Sequence, residues 1–263
     1  MRAIFITGAG SGIGRATAVF FANKGWFCGL ADVNEAGLQQ TAALLPEGRS
    51  SQHIMDVRDA GAWEYALADF AGRTGGRLDI MFNNAGVPLG GPLAEHDADE
   101  IERVIAINLT GAMLGARAAY RYLRDTPGST LVTTSSAAGL YAGAHMSVYA
   151  ATKFGVRAMT EALDREWADD GIKARTIMPS FIDTPLLDQT GRNSNRSYRD
   201  TVVEAGLEFT PVEQVAQAVW DAAHGKAVHT IVGKTARRLK FAVRFAPFLL
   251  PKRLKTPEDQ SAQ

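Results

Sequence analysis

Seven short apolar runs, AIFIT, WFCGLAD, SSQHIMD, LDIMFN, STLVTTS, KARTIMP and HTIVG, punctuate the chain, and most segments between them carry apolar residues at the helical period. A strand with one wet face alternates apolar with polar residues. These runs instead read almost continuously as Ile, Val, Leu and Phe, which implies cover on both faces. Strand and helix in alternation, with both strand faces covered, predict an α/β fold: a doubly wound parallel sheet of about seven strands with helices on both faces. A chain of 263 residues can bury a substantial core. Because α/β chains of roughly 200–250 residues commonly make one domain, a single domain is expected over the whole length.

Two segments break the rhythm. Residues 187–210, LDQTGRNSNRSYRDTVVEAGLEFT, are polar and hold Gly191, Asn193 and Asn195. An excursion of that kind after the sixth strand predicts a substrate lid. The C-terminal extension, 236–263, opens as a basic and apolar stretch: Phe241, Phe245, Phe248 and Leu249 recur at helical spacing among Arg237, Arg238, Lys240 and Arg244, with a break expected at Pro247. Packing on the protein itself or on a sister subunit is the favoured reading of these side chains, ahead of covering an apolar pocket or lying in a membrane interface.

Composition narrows the classes of partner. Lys and Arg number 28 and so do Asp and Glu, so no net charge draws the chain to nucleic acid, and a small-molecule substrate is expected. The one cysteine, Cys28, lies in an apolar run; it reads as a buried strand residue, an intrachain disulfide is impossible, and a reducing compartment is expected. An apolar strand and a glycine loop follow the N-terminus at once, leaving no room for a signal peptide and pointing to the cytoplasm. No apolar stretch approaches the roughly 20 residues of a membrane-spanning helix. The histidines are scattered, and no spacing suggests a metal site.

The segment Thr7-Gly8-Ala9-Gly10-Ser11-Gly12-Ile13-Gly14 leaves the first strand and opens the first helix. There backbone amides and the helix dipole can hold a pyrophosphate, and glycine is needed because a Cβ would block the approach. Alone, such a loop is equally a structural turn. Asp32, which closes the second strand 18 positions beyond Gly14, changes the balance: a carboxylate there accepts hydrogen bonds from the adenosine ribose and repels the 2′-phosphate of NADP. The expected cofactor is NAD, held by Gly8, Ser11, Gly12, Ile13, Gly14 and Asp32. Asp56, at the end of the third strand, and Val57 after it are weaker candidates for the adenine; Asp56 serves equally as a cap for a helix starting near Arg58 or Asp59.

Tyr149 and Lys153 stand four apart in VYAATKFGVRAMTEALDREW, a helical pattern that puts both on one face. A phenol titrates near 10, too high for a base at neutral pH; a nearby cation stabilises the phenolate, and a lowering of about 2 to 3 units would bring it close to working pH. Such pairs also decorate many helix surfaces. Ser136 makes the pattern specific, because it stands at the end of the fifth strand, 13 positions before Tyr149. Strand ends of open parallel sheets carry ligand groups, and a hydroxyl there can bind the substrate oxygen and steady a developing alkoxide. Ser135 is the weaker candidate.

In order and spacing, TGAGSGIG at 7–14, Asp32, NNAG at 83–86, Asn108, Ser136 and YAATK at 149–153 resemble the motifs of the short-chain dehydrogenase/reductase family over about residues 3–185. The resemblance implies a Rossmann-like fold, a nicotinamide-dependent alcohol or ketone oxidoreductase, and a homodimer or homotetramer. It implies a catalytic set of Asn108, Ser136, Tyr149 and Lys153, with Asn108 binding a water in a proton relay. Lys153 would also hold the nicotinamide ribose, and Tyr149 would stand beside the cofactor. Asn84, Ala85 and Gly86 would support the cofactor near the sheet centre, and Pro179, Ile182 and Thr184 would lie beside the nicotinamide, Thr184 at its carboxamide. One departure stands out: the family's Pro-Gly after the sixth strand is Pro179-Ser180 here, and the added Cβ is expected to move the backbone at that point.

By position in the family, the substrate pocket draws on Pro88 to Gly91, Ala138 to Met146, Phe181, Leu186 and Leu187. Leu140, Tyr141, Met146 and Phe181 favour a bulky apolar alcohol or ketone, such as a steroid, retinoid, lipid or aromatic carbinol. A non-catalytic NAD-binding sensor or scaffold would keep the glycine loop and Asp32 but has no chemical need for Ser136, Tyr149 and Lys153 together. A dehydratase or epimerase of the same fold is the other alternative, and sugar substrates would call for a more polar pocket.

Overall fold

A computed structural model describes residues 1–192 and 195–250, with only the backbone of Leu249; Asn193 of the excursion and the end of the C-terminal extension lie outside the described residues. Each apolar run becomes a strand: β1 Ala3–Thr7, β2 Phe27–Asp32, β3 Ser50–Ile54, β4 Ile80–Asn83, β5 Thr130–Thr134, β6 Lys173–Pro179 and β7 His229–Val232. The helices are α1 Gly12–Asn23, α2 Glu35–Ala42, α3 Ala60–Thr74, α4 Ala98–Ile105, α5 Gly111–Arg124, α6 Ser147–Glu166, α7 Tyr198–Glu204, α8 Val212–His224 and α9 Lys234–Phe245. All strands pair in parallel in the order β3-β2-β1-β4-β5-β6-β7.

The side-chain alternation of β1 divides the core into two layers. Ile4 and Ile6 face Phe21 of α1, Leu38 of α2, and Val215 and Val219 of α8. Ala3 and Phe5 face Trp63, Leu67 and Phe70 of α3, and Ala119 and Leu123 of α5. Gly29, in the middle of β2, is needed for this second layer, since a Cβ there would come within 2.5 Å of Phe5 and 2.6 Å of Phe70. Those two rings pack edge to face with centroids 5.3 Å apart, a geometry worth about 0.5–1.5 kcal/mol beyond burial. Cys28 is fully buried in the first layer, and burial pushes its thiol up to about 12, so it is an inert core residue.

The sheet order turns back on itself between β1 and β4. At such a switch point the connections leave in opposite directions and open a crevice beyond the carboxyl ends of the strands, which is where ligands of open α/β sheets bind.

Three local readings need correction. Asp56 does not cap α3: its carboxylate accepts from the Arg58 amide at 2.9 Å and pairs with the Arg58 guanidinium at 2.6 Å. The cap is Asp59, which accepts from Gly61 and Ala62. The excursion after β6 is not irregular throughout, because Ser197 and Asp200 form a reciprocal capping box that starts α7. The C-terminal extension is helical and stops at Ala246, before Pro247, as expected. Its aromatic rings, however, do not pack on the body. Thr235, Ala236, Leu239 and Ala242 take the inward face, and helical phase therefore turns Phe241 and Phe245 outward. No helix among the described residues is long and apolar enough to cross a membrane.

Candidate active site

Beyond Ala9 and Gly10, whose amides are taken by the Ala31 carbonyl and Asp32, the glycine loop runs straight into the start of α1. Ser11 is extended and its side chain caps nothing, so the first amides of α1 have no intrahelical acceptor. The loop's carbonyls are bound from behind: Thr41 of α2 donates to the Ala9 carbonyl at 2.8 Å, and the Arg15 guanidinium donates to that of Gly10. Gly8 has φ 66° and Gly12 φ 47°, and a Cβ on Gly14 would sit 2.1 Å from the Gly8 carbonyl oxygen. The result is a cradle open to an anion at a helix N-terminus.

Asp32 closes the cradle at the end of β2. One carboxylate oxygen accepts from the Gly10 amide at 2.9 Å and the other from the Asn34 amide at 3.0 Å. A carboxylate has about four acceptor positions, so capacity remains for the paired hydroxyls of a ribose. Thr184, beyond β6, approaches from the opposite side: a Cβ on Gly12 would meet its methyl at 3.1 Å. Ile182 is buried and bridges to Thr210. Pro179 ends β6 opposite Val232, and Ser180 continues the ladder by donating to the Val232 carbonyl at 3.1 Å. The Ser180 hydroxyl turns toward β7, where it is buried without a partner in space that Gly233 leaves by having no Cβ. Asp56 and Val57 stand past β3, where Met55 donates its amide to the Asp32 carbonyl. Val57 is buried, and its carbonyl accepts from the Trp63 indole at 2.9 Å.

At the switch point the Thr7 hydroxyl accepts from the amides of Asn84 and Ala85, and the Asn84 side chain joins β1 to β5 by donating to the Thr7 carbonyl and accepting from Thr134. Gly86 follows, so close that a Cβ would lie 3.2 Å from the Asn108 amide oxygen and 3.5 Å from the Lys153 amine. Asn108 is buried in a π-helical turn, Ala106–Thr110, between α4 and α5. Its side chain clamps Val87, accepting from that residue's amide at 2.8 Å and donating to its carbonyl at 2.9 Å.

Lys153 is 4% exposed; its amine donates to the Thr134 carbonyl at 3.0 Å and stands 5.5 Å from the centre of the Tyr149 ring. Ser136 lies near enough to Tyr149 to pull its phenol down, and the Ser136 hydroxyl accepts from the Ala138 amide at 3.1 Å. Ser135 points the other way, donating to the Lys153 carbonyl at 2.8 Å, and ties α6 to β5. The electrostatics differ from the simple expectation. The Tyr149 ring keeps a partly open face, yet the surrounding protein desolvates its hydroxyl and pushes the phenol above its usual value, against the pull of Ser136. Burial likewise lowers the Lys153 amine to about 8. In the chain by itself, loss of water outweighs the lysine's attraction for a phenolate.

Sequence reasoning missed Tyr198. It begins α7, it adds to the upward push on Tyr149, and it packs on Gly90, where a Cβ would lie 2.8 Å from its hydroxyl. Nothing in a polar excursion marks one tyrosine as an inward group. Around it the excursion is tied down on either side of Tyr198. Arg192 donates its amide to the Gly90 carbonyl at 2.9 Å and its guanidinium to Asp97 and Glu100, while Arg199 binds Asp183 at 2.7 Å and Asp188 at 2.6 Å.

A parallel sheet with a glycine cradle at its switch point, and a serine, tyrosine and lysine gathered beside it, defines a Rossmann-type nucleotide-binding enzyme. Comparison with known proteins takes this further. The family model described as short chain dehydrogenase matches residues 2–195, and the chain belongs to that family. It is 31% identical to levodione reductase of Leifsonia aquatica, over 82% of this chain and 83% of that protein. It is 32% identical to D-threitol dehydrogenase of Mycolicibacterium smegmatis, over 85% and 86% respectively. The crystal structure of levodione reductase superposes with a TM-score of 0.79 at 28% identity, covering 93% of this chain and 98% of that one.

Proposed function

We propose that the protein is an NAD(H)-dependent oxidoreductase acting on a secondary alcohol or ketone, and that Ser136, Tyr149, Lys153 and Asn108 carry the reaction. The observation that supports this most directly is the meeting of Ser136 and Tyr149 over a buried Lys153, next to a cradle that only glycine at position 14 can form. When bound, the nicotinamide supplies the acceptor or donor of hydride. Gly8, Ser11, Gly12, Ile13 and Gly14 would hold the pyrophosphate by backbone amides, Asp32 would take the adenosine ribose, and Asn84 to Gly86, Pro179, Ile182 and Thr184 would line the approach to the nicotinamide.

In the oxidative direction Ser136 binds the substrate oxygen, and Tyr149 takes the hydroxyl proton as the carbon gives up hydride. The Lys153 cation favours the phenolate in this step. In reduction the same phenol returns the proton. Names of relatives point the same way, one a reductase and the other a dehydrogenase. By their position in the family, Leu140, Tyr141, Met146 and Phe181 would give the substrate side an apolar wall, so a bulky apolar alcohol or ketone is the proposed class. Residues 187–210 act as its lid. The proposed setting is the cytoplasm, as a homodimer or homotetramer, which light scattering of the purified protein tests.

Titration of NAD and NADP into the purified chain tests the cofactor: NAD should bind at least about tenfold more tightly, and Asp32→Ala should narrow the gap. Equal binding would sink the assignment of Asp32. A panel of alcohols followed by NADH absorbance tests the chemistry. Tyr149→Phe should lower turnover by at least about two orders of magnitude while NAD still binds; a fully active variant would rule out the mechanism.

A further inference from the structure

Helix α9 is amphipathic in an unusual direction. Its inward face, Thr235, Ala236, Leu239 and Ala242, is buried or half-buried. Roughly 110–150° away at 3.6 residues per turn, Phe241 is 62% and Phe245 63% exposed, and Phe248 in the turn that follows is 82% exposed. The Phe241 and Phe245 rings lie 5.2 Å apart, and the Arg244 guanidinium sits 5.3 Å from the Phe245 ring. The helix carries Lys234, Arg237, Arg238, Lys240 and Arg244 and no acid, and Lys252, Arg253 and Lys255 come next in the sequence. Helical phase sets Arg237 and Arg244 on one flank of the aromatic ridge and Arg238 on the other.

An aromatic ridge of this size does not stay in water without a covering surface. A twofold partner would lay the ridge on its own copy and bring the two sets of cations together, which Coulomb repulsion opposes. A neutral apolar groove would take the rings and leave the cations without complement. An anionic lipid surface satisfies both: rings enter the headgroup boundary while Arg and Lys stems lie along it with their charges at the phosphates. The concentration of charge is local, since the whole chain balances 28 cations with 28 anions.

We propose that α9 and the turn after it seat this protein on an anionic membrane surface. The placement suits a site fed from that surface. The helix starts directly after β7, packs against the turn Ala137–Gly139 that follows Ser136, and takes a hydrogen bond at its first turn, where the Thr235 amide donates to Glu208 at 2.8 Å. It therefore stands at the β7 edge of the sheet, next to the end of the 187–210 excursion.

The test is co-sedimentation of the full chain with vesicles of phosphatidylcholine, alone or with phosphatidylglycerol, a readout independent of catalysis. The full chain should pellet with the anionic vesicles only, and added salt should release it. Replacing Phe241, Phe245 and Phe248 by Ser should weaken vesicle binding at least about tenfold, with circular dichroism and solution mass unchanged. Failure of the full chain to pellet with anionic vesicles at low salt overturns the proposal. So does undiminished vesicle binding by the serine variant, or a fall in its oligomer mass in lipid-free buffer, which would assign the ridge to a sister subunit.

Discussion

Ser180 and Gly233 meet where β6 and β7 end. The serine hydroxyl is buried with no partner, at a cost of about 1–3 kcal/mol, and it fits because a Cβ at position 233 would lie 2.1 Å away. Gly233 also has φ 94°, so Gly233→Ala should destabilise the protein by at least about 2 kcal/mol. Ser180→Ala should stabilise it by about 1 kcal/mol and recover part of the loss in the double variant. Urea midpoints of the four proteins measure both effects, and strict additivity would show that the two residues are not coupled. Lys153 provides a second test at this scale. Its folded amine titrates at about 8 against an ordinary 10.5, so between those values the unfolded chain holds the extra proton and stability rises with pH. The cost of the buried charge is fully present below 8. Raising the pH from about 7 to about 9.5 should therefore shift unfolding midpoints in favour of the parent protein over Lys153→Met; an unchanged difference would mean that the amine is not desolvated.

Among the elements, α7 is the one whose loss should show in catalysis without touching the Tyr149, Ser136 and Lys153 cluster. Its capping box fixes the start of the helix, Arg199 fastens it to Asp183 and Asp188, and Tyr198 reaches from it to Gly90. Tyr198 is a positioning residue that packs on Gly90 and raises the Tyr149 phenol through its charge. Tyr198→Ala removes that upward push, so in ketone reduction, where the phenol must carry its proton, the alkaline limb of the kcat/KM profile should move to lower pH and KM should rise about tenfold or more. A change in KM with a fixed pH profile would make Tyr198 a wall residue only. The π-helical turn at Ala106–Thr110 works differently: by adding one residue to a helical turn, it turns Asn108 into the Val87 clamp. Its sequence, AINLT, has ordinary helical character and carries no signal of the wider turn.

At the scale of the molecule, the sheet converts scattered positions into one place. Thr7, Asp32, Asn84, Ser136 and Pro179 each stand at or just past the carboxyl end of a strand, and the reversal between β1 and β4 leaves them around one crevice. Strand positions, the parallel class of sheet, the glycine loop, Asp32 and the Tyr149-Lys153 pair were all legible in the sequence. Each depends on a local rule: continuous apolar runs between helical periods, glycine where a Cβ collides, two residues four apart on a helix. The direction of the Tyr149 shift was not legible, because its burial, to which the Tyr198 charge adds, is a sum over distant segments. The Ser180 hydroxyl found its space only through Gly233, more than fifty positions along. The outward turn of Phe241 and Phe245 was set by which side of α9 met the sheet. Local sequence determines what a segment becomes; what it faces, and so its solvation and charge environment, is decided only when the segments pack.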